Sequence, residues 1–341
     1  MVLGASAGGV LALRQLVAGL PADLPAAVFV VLHLSPAHRS MLPEILTAAG
    51  ELPARFAADG EAIERGVVYV APPGYHLLLT PDQVRLSEGP RENSQRPAID
   101  PLFRSAGVAF GPRAIGVVLS GMLSDGSAGL RALAQCGGVA VVQEPADAEH
   151  GDMPTAALAA TAVDHRVNLD ELPALLVRLT AEAPGPERPV PRRVQAEADA
   201  AFGDITPLRW DQLGPLSEVV CPECGGALRE IDDGGLMRFR CHTGHSFTSS
   251  SVVSSQTEAV ERALWVAIRV LEERLRLCAR FAEESRERGH AGIARTWQRR
   301  AAEAEHHAEL LRSIILSQAA PLVAEQQSEL AAGPMLRRHE G

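Results

Sequence analysis

Met1-Val-Leu-Gly-Ala-Ser-Ala-Gly-Gly-Val10 is the stretch from which the rest of the chain can be read. Val2 and Leu3 read as the end of a buried strand, and 10–18 (VLALRQLVA) as a helix with Leu11, Leu13 and Leu16 inward. Between them, Gly4-Ala5-Ser6-Ala7-Gly8 fits G-x-S-x-G, the pattern that lifts a serine on a sharp strand-to-helix turn. Glycines suit that role, because the backbone must bend and a substrate must come close. The helix that follows aims its first N–H groups where an oxyanion would develop. A phosphate-cradling loop competes poorly, since G-x-G-x-x-G is missing and no Gly-Lys-Ser/Thr follows. A plain tight turn fits this stretch taken alone. Only three residues precede Gly4, short for a central strand of about five, so a few upstream residues are expected to be missing.

Working outward, residues 1–178 alternate strand and helix patterns. The apolar, β-branched runs at 26–34 and 114–121 read as strands buried on both faces, and 139–145 as a third. Short strands are expected at 54–58 and 67–70, a hairpin at 71–88, and helices at 39–49, 96–111 and 124–138. Residues 156–167 and 169–179 close the domain with helical patterns. This is the order of a three-layer α/β/α sandwich around a mostly parallel sheet. Residues 179–220, with four prolines between 184 and 191, are expected to be a Pro-rich linker. A small module occupies 221–248, a helical hairpin 256–318 with Leu264, Ile268, Leu271 and Leu275 at 3–4 spacing, and a disordered tail 319–341.

Composition excludes several classes. A net charge of −10 and 4% aromatic residues argue against nucleic acid as a partner. No apolar run approaches the roughly 20 residues that cross a bilayer, and no charged n-region opens the chain, so no membrane insertion and a cytoplasmic location are expected. Three of five cysteines cluster at 221–241, which suits a metal site better than disulfides. Cys136 and Cys278 lie in helical contexts and read as packing residues.

A serine at an elbow needs a base and a group that orients the base. His33 follows the second strong strand, and Asp125 lies in the loop after the strand at 114–121. In a parallel sheet the carboxyl ends of strands share one edge, so Ser6, His33 and Asp125 can meet there as nucleophile, base and orienter. Each alone has a bland reading, Asp125 for instance as a helix N-cap. His38, His76 and Asp100 are further candidates on that edge, His76 for binding rather than catalysis.

GASAGG (4–9), VLHL (31–34), APPGYHL (71–77), RPAIDPLFRSA (96–106), LSGMLSDGSAGL (119–130) and QEPADAEHGDMPTAA (143–157) together resemble the catalytic domain of the chemotaxis protein-glutamate methylesterases, the CheB family. The resemblance covers residues 1–178 and implies hydrolysis of glutamyl methyl esters on chemoreceptors, often with deamidation of receptor glutamines. It carries the triad over as Ser6, His33 and Asp125, and implies that Gly121-Met122 borders the oxyanion. Backbone N–H groups of Ala7 and Met122 are the expected oxyanion donors, and no cofactor is needed for catalysis. The expected partner is the cytoplasmic domain of a methylated receptor or a related signalling protein. A silent adaptor that binds a receptor or sensor kinase is the alternative. Three departures stand out: Ala7 replaces the family's frequent threonine, Gly151-Asp152-Met153-Pro154 replaces Gly-Met-Pro, and the sequence opens at the catalytic strand, so no receiver domain is expected before it. Activity is therefore expected to be constitutive or set by a partner.

Behind the linker, Cys221-x2-Cys224 and Cys241-x3-His245 make two half-sites of a tetrahedral metal centre, with a hairpin between them as in a zinc ribbon. A structural Zn2+ held by Cys221, Cys224, Cys241 and His245 is expected, with no open position for catalysis. The helices after it are expected to pack on each other or to serve homo- or hetero-association.

Overall fold

The computed structural model describes residues 1–34, 40–204 and 213–331, with side chains as far as 317. The chain begins with β1 (Val2–Ala5), α1 (Gly9–Ala18), β2 (Val28–Leu32), α2 (Leu42–Ala49), β3 (Ala54–Phe56) and β4 (Val68–Val70). A hairpin follows, β5 (His76–Leu79) and β6 (Val84–Ser87), and then α3 (Ile99–Phe110) and β7 (Ile115–Val118). Next come α4 (Ser127–Gln135), β8 (Val139–Gln143), α5 (Asp152–Ala160), β9 (His165–Val167) and α6 (Leu172–Ala181).

The main sheet has seven strands in the order β3-β4-β2-β1-β7-β8-β9, and every pair in it is parallel. Alternation along β2 shows why these strands read as unbroken apolar runs. Val28, Val30 and Leu32 face one helical layer with α1, α2 and α6, while Phe29 and Val31 face the other with α3 and α4. Both faces are covered, so no position can be polar without cost. In α1 the buried residues are Gly9, Ala12, Leu13, Leu16 and Val17, and Leu11 is exposed. The expectation that Leu11 points inward is corrected: it lies two residues from Leu13, on the opposite side of a 3.6-residue helix. His165–Val167 corrects a second expectation, since the segment read as helical pairs with β8 as an edge strand.

Within the stretch expected to be linker, Arg192–Ala201 forms α7, with Val194, Glu197, Ala198 and Ala200 buried. Beyond it, β10 (Leu216–Val220), β11 (Ala227–Asp233), β12 (Leu236–Cys241) and β13 (Ser246–Thr248) make a four-stranded antiparallel sheet in sequence order. Residues 1–255 form one compact unit and 256–341 another. Helix α8 (Ser249–Glu287) begins in the first unit and continues through the second, and α9 (Ala291–Ala331) follows. The second unit is a helical hairpin. Ile268, Cys278 and Ala282 are buried on one helix, and Ala294, Ala301, Ala304, Ala308 and Ile315 on the other. Spacings of 3, 4 and 7 between them are those of an antiparallel coiled coil. Phe281 packs on Trp297 at 5.3 Å, and Glu272 pairs with Arg312. The helix runs past 318 to Ala331, so the tail expected to be disordered from 319 is helical over that stretch. Among the described residues no helix is long and apolar enough to cross a membrane.

Candidate active site

Strand order sets the site. β1 lies between β2 and β7, so the strand that ends at Ser6 is flanked by the one that leads to His33 and the one that leads to Asp125. Connections leave β1 in opposite directions at this point, and crevices at the carboxyl ends of strands form where that happens. The turn after Ser6 reaches α1 through Gly8, whose φ of +73° is a left-handed value that a side chain would strain. Ser6 N–H donates to Ser120 O at 3.0 Å, which ties the elbow to the loop after β7.

Ser6 Oγ lies 2.9 Å from His33 Nδ1, and His33 Nε2 lies 2.8 Å from Asp125 Oδ2. An ionised Asp125 can only accept, so Nε2 carries the hydrogen and Nδ1 presents its lone pair to the serine hydroxyl. Asp125 is 2% exposed and His33 14%, while Ser6 is half-buried, so burial deepens from the serine to the carboxylate. The carboxylate sits at the start of α3, a helix with no side-chain cap of its own. Asp125 supplies that cap from another element: Ile99 N–H donates to Oδ2 at 2.7 Å and Asp100 N–H to Oδ1 at 3.3 Å. Gly126 N–H and Asn93 Nδ2 each donate to Oδ1 at 3.0 Å. Burial alone would raise this carboxyl, but His33 and these donors hold it below the usual range. A helix N-terminus thus stabilises the negative charge that the imidazole needs beside it.

Of the expected oxyanion residues, Gly121 takes a different part. Its N–H donates to His150 O at 3.0 Å and is not available. A Cβ on Gly121 would lie 2.9 Å from Ser6 Cβ and would collide with Met153, so this glycine lets the loop close against the nucleophile. Among the described residues the N–H groups of Ala7 and Met122 donate to no other group. Met122 and Leu123 are exposed beside the site, and Leu123 holds a φ of +63°. A cavity of about 630 Å³ lies elsewhere, lined by Met1, Phe29, Arg65 and Arg113 at the amino ends of the strands.

His76 was expected to bind substrate, and the structure buries it at 2% exposure. Nε2 donates to Pro90 O at 3.0 Å and Nδ1 accepts from Ala98 N–H at 3.3 Å, so the ring braces the 90–98 loop. Burial draws it below the ordinary histidine value, consistent with a neutral ring. Asp100 is also buried, accepting from Gly129 N–H at 2.6 Å and Asn93 Nδ2 at 2.9 Å. Burial, with the charges of Asp125 and Glu92, pushes Asp100 up to about 7. His38 lies outside the described residues. Asn93, Glu92 and Arg104 were missed by sequence reasoning. The run Arg91-Glu-Asn-Ser94 reads only as a polar turn, and nothing local marks the amide as a link to Asp125.

The second cluster lies in the ribbon. One ligand atom each from Cys221, Cys224, Cys241 and His245 falls within 4.8 Å of every other. Cys224 Sγ and Cys241 Sγ are 3.8 Å apart, and Cys241 Sγ and His245 Nδ1 3.5 Å. A tetrahedron with metal–sulfur bonds of about 2.3 Å has edges of about 3.8 Å, so the donor set fits such an ion. Cys241 is drawn down to about 2, first by the hydrogen bond from the Cys221 thiol and then by His245 and Thr243. The same bond pushes Cys221 up.

Comparison with known proteins follows the same division. Residues 1–176 match the CheB methylesterase family. A Leptospira interrogans protein named as a candidate protein-glutamate methylesterase/protein-glutamine glutaminase is 38% identical over 180 residues, 52% of this chain and 93% of that one. A protein-glutamate methylesterase/protein-glutamine glutaminase of Anaeromyxobacter dehalogenans is 39% identical over 180 residues, covering 53% of each chain. The CheB methylesterase catalytic domain of Thermotoga maritima superposes with a TM-score of 0.51 at 29% identity, covering 52% of this chain and 96% of that domain.

Proposed function

The chain belongs to the CheB methylesterase family, and from that premise we propose that it hydrolyses glutamate methyl esters on chemoreceptor-like signalling proteins, with Ser6 as nucleophile, His33 as base and Asp125 as the carboxylate that orients the ring. The observation that carries this reading is the unbroken series Ser6 Oγ–His33 Nδ1 and His33 Nε2–Asp125 Oδ2 at 2.9 and 2.8 Å. Ser6 attacks the ester carbonyl while its proton passes to His33 Nδ1, and Asp125 stabilises the imidazolium that forms. Ala7 and Met122 N–H groups receive the oxyanion. Collapse of the tetrahedral adduct breaks the C–O bond, methanol leaves with the proton from Nδ1, and glutamyl-Ser6 remains. Water then attacks with His33 again as base, releasing the glutamate carboxylate and the serine. A glutamine side chain would follow the same course with ammonia as leaving group. A half-buried serine flanked by exposed Met122 and Leu123 leaves the nucleophile within reach of a protein side chain as substrate.

Cys221, Cys224, Cys241 and His245 hold a structural zinc ion in this reading, and with four protein ligands they leave no position for substrate. The triad needs no metal. Metal analysis should give one zinc per chain, lost in Cys241→Ser.

Methanol release from methylated receptor fragments tests the esterase. Ser6→Ala should lower it about 10,000-fold or more, and Asp125→Asn about 10,000-fold through the wrong ring tautomer. Wild-type protein that releases no methanol, yet takes a fluorophosphonate at Ser6, would retain the serine chemistry and discard the substrate. Protein silent in both assays would favour an adaptor.

A further inference from the structure

The loop that carries Asn93 belongs to the first domain in sequence but is paired with the ribbon. Asn93 N–H donates to Ser246 O at 2.7 Å, and Glu92 bridges Ser246 in parallel, so residues 91–93 lie along β13 like an added strand. Asn93 then takes a left-handed φ of +51°, which asparagine tolerates better than other residues with a Cβ, and turns its side chain back toward the triad. That amide is 6% exposed and fully used. Oδ1 accepts from Thr248 N–H at 3.0 Å and from Ser251 Oγ at 2.7 Å. Nδ2 donates to Asp125 Oδ1 at 3.0 Å and to Asp100 Oδ2 at 2.9 Å. An amide has two donor hydrogens and two acceptor sites on its oxygen, and here all four are engaged.

We infer that Asn93 is a positioning residue for Asp125, anchored by the first turn of α8, so that the C-terminal module contributes to the esterase by fixing the triad carboxylate. The inference rests on the triad reading above. Two carboxylates on one side demand donors, and the start of α8 on the other side demands an acceptor. Leucine at 93 meets neither demand, aspartate meets only the second, and an amide meets both. The anchor is itself rigid. Thr248 Oγ1 accepts from Ser251 N–H at 3.3 Å while Ser251 Oγ accepts from Thr248 N–H at 2.8 Å, a reciprocal cap that closes α8. Ser124, the neighbour of Asp125, is held by the same turn, its hydroxyl 2.6 Å from both Thr248 Oγ1 and Ser250 Oγ. The triad carboxylate is thereby fixed from its side chain and through the residue before it.

The test uses the full zinc-loaded chain and two readouts: the rate of fluorophosphonate labelling at Ser6 and the kinetics of methanol release. Asn93→Ala should slow both by about tenfold to a hundredfold, the range for a misplaced catalytic group, with the loss in kcat and not in KM. Ser251→Ala, which deletes one donor to the amide, should slow both by about threefold to tenfold, the worth of one hydrogen bond. Ser255→Ala, on the same helix and bonded to Ser94 but not to the amide, should match wild type. The acid limb of the rate profile separates positioning from general loosening. Groups facing Asp125 are His33, Asp100 and, around Asp100, Glu92 and Arg104, with His76 nearby. Loss of the Asn93 donor leaves more uncompensated negative charge on Asp125 and so favours the protonated, inactive site, which should move the limb to higher pH in Asn93→Ala and leave it in place in Ser255→Ala. Folded, zinc-loaded Asn93→Ala that labels at the wild-type rate overturns the inference, as does a loss confined to KM. If Asn93→Ala does not fold, Ser251→Ala at the wild-type rate overturns it alone. Labelling of wild type with slow labelling of Asp125→Asn keeps the triad reading whatever the Asn93 result, whereas unlabelled wild type removes both.

Discussion

The seven-stranded sheet and the ribbon sit in one compact unit, yet they are held together by different means. In the sheet, β2 alone sends Val28, Val30 and Leu32 into one layer and Phe29 and Val31 into the other. In the ribbon the buried apolar side chains come down to Leu228, Ile231, Phe239, Phe247 and Val252, joined by Cys221 and Cys241. Burial at about 25 cal/mol per Å2 can maintain the first and is meagre for the second. What fastens the ribbon is polar. Arg104 of α3 grips Glu92 with two bonds of 3.1 and 2.8 Å, Arg238 of β12 grips Glu197 of α7 with two of 2.8 and 2.7 Å, and Arg240 reaches Glu92 at 3.1 Å. All five side chains are almost wholly buried. The sheet keeps its shape through non-directional burial, and the ribbon is joined to it through directional contacts, among them these buried ion pairs.

Metal removal should break the comparison most sharply. Structural zinc contributes about 10–16 kcal/mol in small finger peptides, more than this ribbon's core can replace. Chelation should release the backbone amides of 221–248 to hydrogen exchange and leave those of β1, β2 and β7 protected. Equal protection with and without metal would mean that docking alone orders the ribbon.

A charge deletion comes next in size. Arg104→Met leaves Glu92 and Glu197 short of a partner in a buried place, at a cost of about 3–5 kcal/mol. Leu16→Ala, in the opposite layer, should cost about 2–5 kcal/mol by leaving a cavity. Urea unfolding with and without metal distinguishes them. The Leu16→Ala cost should persist after chelation, while that of Arg104→Met should shrink because the ribbon's arginines and Glu92 have already parted. A metal-independent Arg104→Met cost would place the network inside the sheet domain.

This contrast also explains what could be read from sequence. Ser6 and His33 lie at the ends of apolar strand runs and Asp125 in the loop just beyond a third, so the strand ends where they gather can be read from the sequence. Arg240 is 148 residues from Glu92 and Thr248 is 155 from Asn93, and docking between such segments leaves no periodicity in either. Helix α7 was hidden for a related reason. Its inward face includes Glu197, which looks like solvent-facing polarity until Arg238 and Arg104 are seen around it. His76 misled in the opposite direction, because a histidine after Pro-Pro-Gly looks like a binding residue while its ring spends both nitrogens on the backbone.

The smallest predicted effect is also the one that assigns each side of the interface a limb of a single curve. Burial alone would raise Glu92, but Arg104 and Arg240 hold it down at about 2 against an ordinary value of 4.5. A carboxylate depressed on folding adds stability that is present above its ordinary value and is lost as pH falls toward the folded one. Over that window the loss is about 3 kcal/mol, and Glu197, shifted the same way, deepens it. Asp100 acts in the opposite sense. Pushed up to about 7 by burial, Asp125 and Glu92, it adds stability that is full below its ordinary 3.8 and is lost as pH rises through about 7. Glu92, Glu197 and Asp100 taken together place a stability maximum near pH 4–5, between an acid limb to which the Glu92–Glu197 network contributes and a neutral limb to which Asp100 contributes. Urea midpoints taken from pH 3 to 8 should show both limbs in wild type. Glu92→Gln should flatten the acid limb and Asp100→Asn the neutral one. An acid limb unchanged in Glu92→Gln would show that protons loosen the sheet first, and the ribbon would then be a passenger and not the pH-sensitive brace of the site.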